Sequence, residues 1–318
     1  MVQHPSESWI NPDLSVIVPL YNEEESVGPL HEAIVGALDP LGMEYEILFV
    51  DDGSKDATFR KASELARRDR RLRVIKFRRN YGQTPAMAAG IDHARGRILI
   101  TMDGDLQNDP ADIPKFLDKI NEGNDIVCGW RHKRQDKLIT RKIPSVIANW
   151  IIGRITGVPI KDNGCSLKAY RADIIKSIPL YSDMHRFIPA MTSMAGTSVA
   201  QLKVNHSPRR FGVSKYGISR IYKVIIDLLV IKTLLAFSSR PMHLFATGGL
   251  LFMGLGMFTL FLALKDSFRQ GSVDFMLASG GLLFLILAFF LVLVGLLCEL
   301  INKTGSFRAF ERLKETVE

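Results

Sequence analysis

The chain is expected to be an α/β protein: a mostly parallel sheet flanked by helices, followed by interfacial amphipathic helices and two transmembrane helices. Three observations carry this reading. Short apolar runs alternate with helical patterns over residues 14–129, each run ends in polar residues, and two stretches without a charged side chain, 241–264 and 275–298, lie towards the end. Strand–helix alternation of this kind builds a parallel sheet covered on both faces. Each charge-free stretch exceeds the roughly 20 residues a helix needs to cross a bilayer.

Leu14-Ser-Val-Ile-Val-Pro is the first strand, running into the loop Leu20-Tyr-Asn-Glu-Glu-Glu-Ser. Val27, Leu30, Ala33, Ile34 and Leu38 then recur at three- and four-residue steps, the spacing of one helix face. Tyr45-Glu-Ile-Leu-Phe-Val is the second strand, stopped by Asp51-Asp-Gly-Ser, and Ser54 or Asp56 is placed to cap a helix that runs to about Arg68. Arg73-Val-Ile-Lys-Phe is the third strand, residues 84–94 a helix of small side chains, residues 97–102 the fourth strand and Asp125-Ile-Val-Cys-Gly the fifth. The clusters Asn22-Glu23, Asp51-Asp52, Arg78 to Asn80, Asp103 to Asp105 and Arg131 all follow strand ends. Open sheets bind ligands outside the carboxyl ends of their strands, so these clusters are expected to share one crevice.

After Arg131 the pattern changes. Arg131, Lys133, Arg134, Lys137, Arg141 and Lys142 are opposed only by Asp136, and the apolar stretch 143–155 suits a helix lying in a membrane interface. Residues 217–237 are amphipathic as well. The expected organisation is a cytosolic domain over 1–212, juxtamembrane helices over 213–240, a transmembrane hairpin over 241–300 and a cytosolic tail over 301–318. Lys and Arg flank the hairpin on both sides, which places both termini in the cytoplasm. No apolar run precedes Leu14, so a signal peptide is not expected. The formal net charge of +8 suits anionic lipid beside the hairpin; with no RNA-binding motif or basic tail, a nucleic-acid partner is not expected. Cys128, Cys165 and Cys298 share no disulfide or metal spacing, nor do His93, His132, His185 and His206.

The chemistry concentrates in Arg97-Ile-Leu-Ile-Thr-Met-Asp-Gly-Asp-Leu-Gln. If extended geometry persists, alternation turns Asp103, Asp105 and Gln107 to one side. They would offer hard oxygen ligands to one divalent cation, of the kind that neutralises a diphosphate leaving group. Taken alone, the segment also reads as a strand end with an Asp-Gly turn.

The motifs together carry a family likeness. Val18-Pro-Leu-Tyr-Asn-Glu, Val50-Asp-Asp-Gly-Ser, Arg79-Asn-Tyr-Gly-Gln and Met102-Asp-Gly-Asp-Leu-Gln come first. Asp162-Asn-Gly-Cys-Ser-Leu-Lys-Ala-Tyr-Arg, Arg209-Arg-Phe-Gly-Val-Ser-Lys-Tyr and the hairpin follow. In this order, over about residues 13–305, they resemble the polyisoprenyl-phosphate glycosyltransferases of family 2, with the GT-A (Rossmann-like) fold. That group includes the bactoprenol glucosyl transferases and dolichol-phosphate mannose synthases.

The resemblance implies that Pro19, Tyr21, Glu23 and Asp51 contact the nucleoside, with Asp51 accepting from the base. It places Asp103 beside nucleotide and metal, and gives Asp105 and Gln107 the task of holding Mg2+ or Mn2+ with it. Gly104 stands where the family commonly has alanine, a departure expected to leave ligation intact. Arg131 resembles the arginine that reaches phosphate, for which a forked guanidinium is suited. Arg209, Arg210, Ser214 and Lys215 resemble the loop that closes over the donor diphosphate or holds the lipid phosphate, and Arg141 is assigned to the lipid phosphate. Asp162 is the candidate for activating or positioning the acceptor; otherwise it is a turn residue before Asn163-Gly164.

The implied reaction is metal-dependent, inverting transfer of glucose from UDP-glucose to undecaprenyl phosphate at the cytoplasmic face of the membrane, by a homotetramer. A phosphate monoester with a second pKa of about 6 is largely anionic at neutral pH, so no strong general base is needed. Positive charge must instead hold two anions together. The alternatives are the same reaction with GDP-mannose or a UDP-aminosugar, a processive polysaccharide synthase, and a non-catalytic lipid-binding membrane protein. The synthase is disfavoured because two helices cannot form a large conduit and the Gln-x-x-Arg-Trp signature is missing, and the intact Asp103, Asp105 and Gln107 speak against lost catalysis.

Overall fold

The computed structural model describes residues 12–131, 153–154, 159–178, 188–193, 196–208, 241–271 and 274–304. The chain forms two compact units, Met1–Asp227 and Leu228–Glu318. In the first unit the strands are β1 Leu14–Leu20, β2 Tyr45–Asp51, β3 Leu72–Lys76, β4 Ile98–Thr101, β5 Ile126–Arg131, β6 Lys168–Arg171 and β7 Val199–Val204. They make one seven-stranded sheet in the order β3-β2-β1-β4-β6-β5-β7. The longer helices interleaved with them are α1 Val27–Leu38, α2 Thr58–Arg68, α3 Gln83–His93 and α4 Ile113–Asn121, with short helices Ala172–Ile175 and Ile188–Ser193 between β6 and β7.

β2 is buried along its whole length and β1 at all but one position, which is why both are largely apolar; the buried Ser15 hydroxyl and Glu46 carboxylate within them pair with each other at 2.7 Å. The helix face anticipated over residues 27–38 is the one that packs, through Val27, Leu30, Ile34 and Leu38. Small residues let α3 settle against the sheet: a Cβ on Gly90 would lie 3.3 Å from Val50 Cγ2 and would collide with Ile17. Arg71, in the basic run after α2, spans Asp39 (2.6 Å) and Asp69 (3.0 Å) with its guanidinium over the Tyr45 ring. It pins the approach to β3 against the approach to β2.

Strands β1 to β4 run parallel, while β6 is antiparallel to both β4 and β5, and β7 is parallel to β5. Chain order reverses at β1, whose neighbours are β2 and β4, so a crevice opens at their carboxyl ends. Because β6 runs the other way, its beginning lies at that same edge. The segment leading into β6 therefore arrives at the crevice as β5 leaves from it.

One expected cap is corrected. The N-cap of α2 is Ala57, without a side-chain bond. Asp56 serves the first turn instead, accepting from Thr58 N at 3.0 Å, and Ser54 accepts from Asn22 N at 2.9 Å in the β1–α1 loop.

The second unit holds helices Pro241–Gln270 and Phe275–Thr304, each long and apolar enough to cross a membrane. Their shared face is built on small residues. A Cβ on Gly249 would meet Val292 Cγ2 at 3.1 Å, and one on Gly295 would meet Phe245 Cβ at 2.9 Å. Asp274 Oδ1 caps the second helix by accepting from Met276 N and Leu277 N. Leu250, Phe261, Leu283 and Phe289 are exposed, as lipid-facing side chains would be. The amphipathic stretch 217–237 lies outside the described residues, as does all of 143–155 except residues 153–154.

Candidate active site

At the carboxyl ends of β1 and β2 the β1–α1 and β2–α2 loops are laced together. Asn22 takes a left-handed backbone (φ 52°), a conformation its short polar side chain tolerates. Its Oδ1 accepts from Lys55 N at 2.9 Å, Thr58 Oγ1 accepts from Glu23 N at 2.8 Å, and Glu24 Oε2 accepts from Ala57 N at 3.0 Å. Glu23 Oε2 accepts from the Ser26 hydroxyl at 2.7 Å, which ties this carboxylate to the start of α1. Strand register sets Pro19 beside Val50 and Leu20 beside Asp51, with Tyr21 next in line.

Asp51 is fully buried, with Oδ1 accepting from Ser54 N at 3.3 Å and Oδ2 without a hydrogen-bond partner. Buried polar atoms are almost always paired, so an orphaned carboxylate oxygen at a crevice is an acceptor that a ligand N–H can satisfy. Asp52 turns to protein: it accepts from Tyr81 N (2.7 Å) and Gly82 N (2.9 Å). Burial pushes its carboxyl above the ordinary carboxylate value, and those two N–H groups pull it back only in part.

The acidic segment after β4 departs from the strand geometry anticipated for it. β4 ends at Thr101, and Leu106 has φ 59°, so Asp103, Asp105 and Gln107 are carried by a bent loop and not by strand alternation. The loop is seated on β1: a Cβ on Gly104 would lie 2.5 Å from Leu20 Cδ2 and 3.2 Å from Pro19 O. Asp105 is buried, and its Oδ1 accepts from Gln107 N at 3.2 Å. Gln107 Nε2 donates to Ser207 O at 3.5 Å, leaving the amide oxygen as the atom a cation would take.

Asp103 Oδ1 accepts from Gln83 Nε2 at 2.6 Å. Burial and the nearby Asp105 carboxylate raise the Asp103 pKa, against the pull of the Ser166 hydroxyl, Arg131 and Gln83. Two acids close enough to repel, plus an amide oxygen, form a hard donor set that suits Mg2+ or Mn2+. Among the described residues no group of three or more His, Cys, Asp or Glu is placed to hold a metal by itself.

Arg131 and Asp162 meet directly. Arg131 Nε donates to Asp162 Oδ2 at 2.7 Å and Nη2 to Oδ1 at 2.9 Å, and the backbone N of Arg131 reaches Oδ2 at 3.3 Å. The antiparallel β6 makes this possible by bringing residue 162 back to the end of β5. Gly164 leaves room for the fork, since a Cβ there would stand 3.2 Å from Arg131 Nη2. Burial works against the guanidinium charge, but the Asp162 bonds outweigh it and raise the Arg131 pKa. A guanidinium has five donors, so Nη1 and the second hydrogen of Nη2 remain as another fork.

Sequence reasoning did not single out the buried polar groups beneath these residues. Asn108 Nδ2 donates to Ser166 Oγ at 2.7 Å, Thr101 Oγ1 donates to Ser166 O at 2.8 Å, and the buried Lys168 Nζ donates to Asn163 O at 3.3 Å. Gln83, Ser166 and Lys168 all stand inside motifs that carried the family resemblance, which was the available signal. Arg141, Arg209, Arg210, Ser214 and Lys215 lie outside the described residues.

A mostly parallel sheet with an acidic loop after β4, open at the carboxyl ends of β1 and β2, is the GT-A-like fold of glycosyltransferases. Solved structures agree on that fold. Glucosyl-3-phosphoglycerate synthase from Mycobacterium tuberculosis, in complex with Mn2+ and UDP-glucose, superposes with a TM-score of 0.54 at 16% identity, over 70% of this chain and 79% of that one. Residues 15–178 match Glycosyl transferase family 2, and the chain belongs to that family. It is 47% identical over 264 residues to the dodecaprenyl-phosphate galacturonate synthase of Rhizobium johnstonii, spanning 82% of this chain and 78% of the relative. It is 40% identical over 223 residues to the undecaprenyl-phosphate 4-deoxy-4-formamido-L-arabinose transferase of Salmonella enteritidis PT4, spanning 69% and 67%.

Proposed function

We propose that this enzyme transfers a sugar from a UDP-sugar to polyprenyl phosphate, with inversion, at the cytoplasmic face of a membrane. The observation that carries the reading is the placement of the paired acids Asp103 and Asp105 beside the forked Arg131–Asp162 pair, on a chain with two helices of membrane-spanning length. In this reading the cytosolic domain over 1–212 carries out the transfer and the hairpin over 241–300 crosses the membrane, with both termini in the cytosol. The Asp51 Oδ2 orphan is the acceptor for the base N–H, with Pro19 and Tyr21 as the neighbouring walls. Asp103, Asp105 and Gln107 would hold Mg2+ or Mn2+, and the bound ion would supply positive charge for the donor's diphosphate.

Asp162 has a narrower task than a general base. Its two oxygens are taken by Arg131, and an acceptor phosphate is already largely anionic near neutral pH, its second pKa being about 6. It orients the arginine, whose other fork is left for a phosphate oxygen. The positive field that lets two anions approach then comes from Arg131, with Arg141, Arg209, Arg210, Ser214 and Lys215 assigned to the phosphates by resemblance.

The named relatives handle galacturonate or 4-deoxy-4-formamido-L-arabinose, and these sugars displace glucose as the leading donors to try. The test is transfer of labelled sugar into organic-extractable undecaprenyl phosphate. UDP-galacturonate, UDP-4-deoxy-4-formamido-L-arabinose, UDP-glucose and GDP-mannose are offered in parallel, with and without Mn2+. Asp105→Ala should abolish transfer without unfolding the protein; near-normal turnover in that variant would remove the metal assignment.

A further inference from the structure

Asp52 has no part in the assignments above, yet it is built into the site. It is 3% exposed, and its two oxygens hold the N–H groups of Tyr81 and Gly82. Gly53 seals the same contact: it has φ 69°, and a Cβ there would stand 2.7 Å from Asn80 N and collide with the Arg79 backbone. Gly82, with φ 102°, ends the clamped loop, and Gln83 follows at once as the first residue of α3. The Gln83 amide then donates to Asp103 Oδ1 at 2.6 Å. A path of two hydrogen-bonded holds, joined by one peptide unit, thus runs from the end of β2 to the acidic loop after β4. β1 lies between those two strands in the sheet, so no direct strand contact does the same work.

We propose that Asp52 and Gln83 form a positioning relay that fixes the Asp103 carboxylate for cation binding; this rests on Asp103 being a cation ligand. Gln83 occupies one oxygen of Asp103 and so sets the plane of the carboxylate, while Asp52 holds the backbone from which Gln83 reaches. Partners behind a metal ligand govern its orientation, and their loss commonly costs about 10–100-fold in metal affinity.

The experiment titrates Mn2+ alone into the full-length protein in detergent, reading the free ion by electron paramagnetic resonance. Gln83→Leu keeps the side-chain bulk and removes the donor; Asp52→Asn replaces one acceptor oxygen with a donor facing an N–H. Each should weaken Mn2+ binding about tenfold or more, Gln83→Leu with the thermal midpoint close to that of the unmodified protein and Asp52→Asn with a midpoint several degrees lower, because one buried N–H loses its acceptor. The double variant should bind no more weakly than the poorer single one, because the two act in series. Binding within twofold of unmodified protein in Gln83→Leu overturns the relay, and so does a double loss equal to the product of the single losses. Asp52→Asn that lowers the midpoint while leaving Mn2+ affinity intact overturns it too. Asp105→Ala in the same titration separates the two readings. If that variant also binds normally the cation site itself fails, whereas if it loses Mn2+ and Gln83→Leu does not, only the relay fails.

Discussion

Replacing Asp162 with alanine tests whether the Arg131 fork holds the domain together as well as serving the chemistry. The two side chains are 16% and 3% exposed, and the carboxylate meets the guanidinium at 2.7 and 2.9 Å. Removing one partner of a buried ion pair leaves the other charge desolvated, at a cost of about 3–5 kcal/mol. For a domain of roughly 150–250 residues, each kcal/mol moves the midpoint by about 2–4 °C, so Asp162→Ala should lower Tm by about 6–20 °C. The assay is thermal unfolding of the full-length protein in detergent, run beside sugar transfer to undecaprenyl phosphate. An apolar pair of similar volume, Arg131→Met with Asp162→Leu, should recover most of the lost midpoint and none of the turnover. A midpoint within about 2 °C of the unmodified protein in Asp162→Ala would refute the argument. Asp162 would then be a residue whose loss acts on turnover alone.

Three further outcomes follow from the same geometry. Asp51→Ala removes the orphaned oxygen and should weaken UDP binding about tenfold or more by calorimetry, with Tm within a few degrees; unchanged affinity would take Asp51 out of the base pocket. Gly104→Ala drives a methyl to 2.5 Å from Leu20 Cδ2 in a fully packed region and should cost about 1–3 kcal/mol; a midpoint unchanged by thermal unfolding would show that Leu20 has room to move. Burial works against a low pKa for Asp69, but Arg71 and His31 outweigh it and hold the carboxyl below its ordinary value. Such a carboxylate contributes stability above its unfolded pKa and loses it as pH falls through the folded value. Asp69→Asn should therefore flatten the fall of Tm below about pH 4, and an unchanged acid limb would exclude the Arg71 pairing as its cause.

The parallel part of the fold was legible because its central strands are buried on both faces: β1 and β2 are largely apolar, broken only by Ser15, Glu46 and the terminal Asp51, and α1 shows the period of one packed face. β6 was not, because Lys168-Ala-Tyr-Arg is four residues long and carries no strand alternation of apolar and polar groups. β7 is an edge strand with mixed exposure, and it too escaped the pattern. Missing β6 had a consequence for the site. Arg131 and Asp162 were assigned separately, to phosphate and to acceptor, and only the antiparallel return brings residues 31 apart into one fork. The acidic cluster was legible in composition but not in geometry, since a left-handed backbone at Leu106 is not visible in the letters Asp-Gly-Asp-Leu-Gln. Contacts between loops, such as Asp52 with Tyr81 and Gln83 with Asp103, are set by which strand ends stand together. No local pattern encodes that.

The Arg131–Asp162 fork also acts as a clasp. β5 ends at Arg131, and Asp162 stands six residues before β6 begins at Lys168, so the clasp fastens the chain to itself at the rim of the crevice before it re-enters the sheet. Once two such points are fastened, enlarging what lies between them is inexpensive: doubling the length of a flexible loop adds only about 0.6 kcal/mol of closure cost. By that arithmetic, a change of chain length between Arg131 and Asp162 leaves the cost of fastening them nearly unchanged. The fork thereby separates chain length at the rim from the geometry of the crevice, which the sheet and its own loops hold.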